Sequence, residues 1–81
     1  MITILKAVRL RRGLTSRAVA RAISLDSGYY SRLEGGAAPS PERASQIAAF
    51  FGQEVTEHQL LYPDRYLQPV PEPAAGNEVA S

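Results

Sequence analysis

The sequence contains no cysteine and a single histidine, His58. No disulfide can brace the chain and no thiolate can hold a metal. One histidine and no thiol leave little material for a nucleophile–base pair or a metal cluster. His58 reads as a surface residue in the first turn of a short helix, so no enzymatic activity, cofactor or metal is expected. No apolar run approaches the ~18 residues of a membrane span. Residues 1–10 interrupt their apolar pattern with Lys6 and Arg9, unlike a signal peptide. Strand alternation and internal repeats are also absent. The lack of cysteine suits a reducing compartment, and a cytoplasmic protein with no membrane contact is the expectation.

What is present is a short chain of 81 residues, enough for one domain. Chains near this size bury only about 60% of their unfolded surface. Good helix packing or a partner subunit must supply the rest of the stability. The net charge is only +1, but its distribution is uneven. Residues 1–32 carry Lys6, Arg9, Arg11, Arg12, Arg17, Arg21 and Arg32 against Asp26 alone, a net +6. Residues 33–81 carry seven acids against Arg43 and Arg65, a net −5. A basic front and an acidic back suit a polyanionic partner on one side.

Apolar spacing and cap residues divide the chain into helices. The pattern of Leu5, Val8 and Arg9 predicts a first helix over residues 3–12, stopped at Gly13. Thr15 caps a second over residues 16–23, with Val19, Ala20 and Ile23 inward. Ser24 and Leu25 make a tight connection to the cap Asp26 and a third helix over 27–34, ended by Gly35 and Gly36. Ser40, Pro41 and Glu42 open a fourth that continues to Phe51 and stops at Gly52. Phe50 and Phe51 belong to the core or to a subunit interface. Thr56 and Gln59 form a capping box for a short fifth helix. The expected fold is all-α, with a five-helix domain over residues 1–62 and a proline-rich extension over 63–81. Within the extension, residues 64–67 have two options, packing back or pairing with another chain. Residues from about 69 to 81 read as disordered.

Residues 16–34 are the informative stretch. Two helices joined by so few residues cannot lie antiparallel and must cross steeply, as in a helix-turn-helix. Ala20 is small where the second helix has to cross closely. Val19, Ile23, Leu25, Tyr30 and Leu33 bury the inner faces. The outer face is left with Ser27, Gly28, Tyr29, Ser31 and Arg32, short and polar enough to enter a major groove. Arg17, in the first turn of its helix, gains nothing from the helix dipole and argues for a phosphate partner. Arg9 lies on an inward face and Glu34 follows Leu33, so each needs an oppositely charged partner if it is buried.

The run from Leu5 to Gly52 resembles the Cro and phage-repressor helix-turn-helix family without a gap. The resemblance is carried by LKAVR (5–9), RGLT (12–15), the small Ala20, SRLEGG (31–36) and PSPE (39–42), all in register. It implies a five-helix fold that binds double-stranded operator DNA through a recognition helix over residues 27–34. By position it implies base contacts from Ser27, Gly28 and Arg32, with Tyr29 beside them. Phosphate contacts are expected from Thr15, Ser16, Arg17, Arg11, Arg12 and Ser31. Two positions depart from the family pattern: Ser16 stands where glutamine is usual, and Ser24 replaces the glycine of the turn. The resemblance also implies an ion pair between Arg9 and Glu34.

One such domain makes few contacts, so a two-fold dimer on half-sites about 34 Å apart is expected. The expected interface comprises Val55, Leu60, Leu61, Tyr62, Tyr66 and Leu67. Repressor, toxin-neutralising antitoxin and restriction–modification controller share this fold. In the antitoxin reading, residues 63–81 take a protein partner. An adaptor that has lost DNA binding is disfavoured by Arg17 and Arg32 on the basic front.

Overall fold

Five short helices each begin on a side-chain oxygen. Thr3 caps α1 (Ile4–Arg11), Thr15 caps α2 (Ser16–Ala22) and Asp26 caps α3 (Ser27–Glu34). Ser40 caps α4 (Pro41–Phe50), and Thr56 caps α5 (Glu57–Leu61) through a complete capping box with Gln59. These contacts satisfy backbone donors that a helix start leaves free. The computed structural model describes residues 1–52 and 54–71. Of the disorder expected over residues 69–81 and the partner-binding tail expected over 63–81, the part on residues 72–81 lies outside the described residues.

The ends of α1 and α2 share one device. After α1, Gly13 N–H donates to the Leu10 carbonyl at 3.0 Å and Leu14 N–H to the Arg9 carbonyl at 3.2 Å. This is the Schellman arrangement, which needs a left-handed residue, here Gly13 at φ +71°. α2 closes in the same way: Ser24 N–H reaches the Arg21 carbonyl at 3.2 Å and Leu25 N–H the Ala20 carbonyl at 2.8 Å. Its left-handed residue is Ser24, at φ 59°, the non-glycine residue with positive φ among the described residues. Serine therefore does the work that glycine does after α1.

The core joins all five helices through Leu5, Val8, Val19, Ala20, Tyr30, Leu33, Ile47, Phe51, Val55 and Leu60. α2 packs on α3, α4 on α5, and α1 on both α3 and α5. The chain then turns through a 3-10 helix, Pro63–Tyr66, against α5. Beyond it Gln68 forms an antiparallel bridge with Ile2, each N–H reaching the other's carbonyl at 2.7 Å. The segment over residues 64–67 thus packs back on its own domain.

Several boundaries differ from expectation by one residue. Thr3 caps α1 instead of opening it, α2 ends at Ala22, and α4 ends at Phe50 with Phe51 as its cap. Val55 and Leu60, expected at a dimer surface, are only 1% and 4% exposed and fill the core of their own subunit. They have no side-chain surface to offer a partner.

Candidate nucleic-acid interface

Ala20 lies buried where α2 and α3 pack together, and Tyr30 and Leu33 turn the inner side of α3 into the core. Opposite them, Ser27, Gly28, Ser31 and Arg32 are exposed. Tyr29 is half-buried and packs against the edge of the core, so much of its ring is already committed to the fold. At the start of α3, one Asp26 carboxylate oxygen accepts from Gly28 N–H at 3.0 Å and Tyr29 N–H at 3.1 Å. A β-carbon at position 28 would stand 3.0 Å from that oxygen. Glycine therefore leaves room for the cap as well as a bare backbone on the outer face.

Arg11, Thr15 and Arg17 are exposed around the N-terminal end of α2, and Ser16 is half-buried there. The Thr15 hydroxyl accepts from Ala18 N–H at 3.0 Å. Its own proton is still free to be donated to a phosphate. Arg12 behaves differently from its expected role. Its Nε donates to Glu54 at 2.7 Å and its Nη2 to the Phe51 carbonyl at 2.9 Å, with the guanidinium over the Phe51 ring. Arg12 fastens α1 to the end of α4. Two of its donors are engaged there and its side chain stays 37% exposed, so any phosphate contact from Arg12 competes with this fastening.

The far end of α3 is held by charge and by backbone. Arg9 Nε donates to Glu34 Oε2 at 2.6 Å and Nη2 to Oε1 at 3.0 Å, while Nη1 reaches the Leu14 carbonyl at 2.8 Å. Both side chains are largely buried, 12% and 8% exposed. The hydrogen bonds to Glu34 raise the Arg9 pKa further, against the opposing effect of burial. The buried Thr3 hydroxyl donates to the Glu34 carbonyl at 2.9 Å. This second anchor was not anticipated, although a threonine just before an apolar-periodic helix is a start signal.

Next to the pair, Tyr30 is fully buried and its hydroxyl has no partner at hydrogen-bond geometry. Burial, and then the neighbouring Glu34 carboxylate, raise its pKa well above the ordinary value. A further unanticipated contact lies at the α2–α3 turn, where Gln46 of α4 donates to the Ile23 carbonyl at 2.7 Å.

At the opposite end of the domain, Tyr62 and Leu67 are exposed, and Leu61 and Tyr66 are half-buried. Among the described residues no helix is long and apolar enough to cross a membrane, and no cluster of potential metal ligands occurs.

No curated protein and no solved structure gives a significant match to this chain. A family model does: that of the helix-turn-helix family covers residues 5–58, from the start of α1 into α5. This span takes in the paired α2–α3 unit and both residues of the Arg9–Glu34 lock. The chain belongs to the helix-turn-helix family of the Cro and phage-repressor type, and is a DNA-binding transcription regulator.

Proposed function

We propose that this protein is a repressor that binds a pseudo-palindromic operator as a homodimer, with α3 reading bases in the major groove. The observation that carries the reading is the exposed polar face of α3, with Ser27, Gly28, Ser31 and Arg32, on a helix anchored by Asp26 at its start and by Arg9 and Thr3 at its end. A rigid support of this kind is what base readout requires, since hydrogen bonds to base edges tolerate little misplacement. Arg32 is the candidate for a two-pronged contact with a guanine, and Tyr29 borders the same face. Thr15, Ser16, Arg17, Arg11 and Ser31 are the candidates for phosphate contacts, which fix register and carry no sequence information themselves.

Dimerisation is proposed through Leu61, Tyr62, Tyr66 and Leu67. Tyr62 and Leu67 are 47% and 41% exposed, large apolar groups unaccounted for by the subunit's own core. Binding DNA sets the place of action in the cytoplasm.

Selection of bound sequences from a random DNA pool, followed by footprinting, tests the proposal. The expected result is one enriched motif with two-fold symmetry and half-sites about 34 Å apart. Enrichment of no motif would reject base readout. An asymmetric single site with a sedimenting monomer would reject the dimer.

A further inference from the structure

The turn between α2 and α3 sets the direction of α3, and it is held from outside the motif. After α2 the Schellman bonds consume the carbonyls of Ala20 and Arg21. The Ile23 carbonyl, immediately before the left-handed Ser24, receives no backbone N–H among the described residues. Gln46 Nε2, from the exposed side of α4, fills that vacancy at 2.7 Å. The amide is oriented on its other side by Arg43, whose Nη1 donates to Gln46 Oε1 at 3.1 Å. Oxygen toward Arg43 and nitrogen toward Ile23 is the arrangement in which both contacts are attractive.

We propose that Gln46 is a positioning residue for DNA recognition: its amide pins the Ile23 carbonyl and thereby fixes the angle at which α3 is presented. A serine at φ 59° is less comfortable than a glycine, so the turn has other conformations close in energy. A carbonyl tied to a separate helix removes that freedom. α3 is then fastened at both ends, by the Gln46 bond at its entrance and by Arg9 with Thr3 at its exit. Gln46 lies outside the α2–α3 unit and is exposed, so it contributes little to burial. Its effect on function rests on the reading of α3 as the base-contacting helix, whereas its effect on the turn does not.

Two substitutions in the full chain separate its two bonds. Gln46→Glu keeps the acceptor for Arg43 but sets an oxygen against the Ile23 carbonyl. Gln46→Lys keeps a donor for Ile23 and loses the acceptor. Without DNA, amide exchange at Ser24 and Leu25 should quicken about tenfold in Gln46→Glu, the effect of losing one hydrogen bond. It should stay close to wild type in Gln46→Lys.

With DNA, the ratio of affinity for the selected operator to affinity for random duplex should fall about tenfold in Gln46→Glu, for a misplaced helix forfeits base contacts and keeps phosphate contacts. The same ratio should hold within about twofold in Gln46→Lys, where the added charge strengthens both complexes alike. A mere loss of folded protein lowers both affinities together and leaves the ratio unmoved. Unchanged exchange in Gln46→Glu overturns the clamp. Faster exchange with an unchanged ratio overturns its role in recognition, as does an equal fall in both variants. A wild-type protein that shows no preference for any sequence overturns the reading of α3 and with it the recognition role, while exchange still decides the clamp.

Discussion

Arg9 meets Glu34 as a fork on a fork, with its third nitrogen on the Leu14 carbonyl. One side chain thereby ties α1, the link to α2 and the end of α3. Lysine could not make these three directed contacts at once, because it offers a point charge instead of a planar fork. Removing one partner leaves the other charge buried without compensation. Glu34→Ala should cost about 3 kcal/mol. For a domain of this size that corresponds to a fall of roughly 10–20 °C in Tm. DNA binding should weaken although a negative charge has been removed. Tighter binding at unchanged Tm would show that Glu34 only repels the polyanion.

Arg12 and Arg17 carry the same charge and should behave differently. Arg12→Ala should lower stability by about 1 kcal/mol through loss of the Phe51 carbonyl and Glu54 contacts. Its salt dependence of DNA binding should stay the same. Arg17→Ala should leave the urea midpoint in place and reduce the slope of log affinity against log salt by about one. Binding titrations across a salt series, with urea melts beside them, check both.

Arg32→Ala should weaken operator binding by about 1–3 kcal/mol and relax preference at one base pair of each half-site. Repeating the sequence selection with the variant reads this directly. An unchanged motif would remove Arg32 from base readout.

Ser24→Gly should stabilise the domain by about 0.5–1 kcal/mol. Relief of the left-handed strain outweighs the extra freedom of glycine in the unfolded chain. A Tm lowered by the substitution would mean that the serine hydroxyl contributes more than its backbone strain costs.

Tyr30 gives the fold an alkaline limit. Its folded pKa is raised, so the folded chain keeps the phenol proton at a pH where the unfolded chain releases it. The stability tied to this proton is complete below about pH 10 and declines above it, by about 1.4 kcal/mol per pH unit. Tyr30→Phe should remove this part of the alkaline decline. At neutral pH it should be neutral or stabilising by about 1 kcal/mol, since it deletes an unpartnered buried hydroxyl. Urea melts at neutral and alkaline pH test both statements.

The helix starts were legible because caps are local: Thr15, Asp26, Ser40 and Thr56 sit within three residues of the N–H groups they serve. The left-handed Ser24 was legible as a departure from glycine at one position. What escaped depends on distant partners. Arg12 and Glu54 are 42 residues apart, and nothing in either segment announces the other. Gln46 and Ile23 are joined across 23 residues, by a side chain that on sequence alone is one more polar residue on a helix face. Val55 and Leu60 were misplaced for a different reason. Leu60 lies in α5, which spans too few turns for apolar spacing to separate the inward face from the outward one, and Val55 precedes the α5 cap in a segment with no periodicity at all.

The bridge between Ile2 and Gln68 closes nearly the whole described chain into a loop. Points so far apart in sequence meet only after α1 has packed on α5, so the two hydrogen bonds of the bridge form on an assembled core. Such contacts complete late in folding and open early under native conditions. The Ile2 and Gln68 amides should therefore exchange through a small local opening, long before the helices yield. The seam would release the turn at Pro63–Tyr66 while α3 stays locked by Arg9, so the rim proposed for dimerisation can loosen without moving α3 within its own subunit.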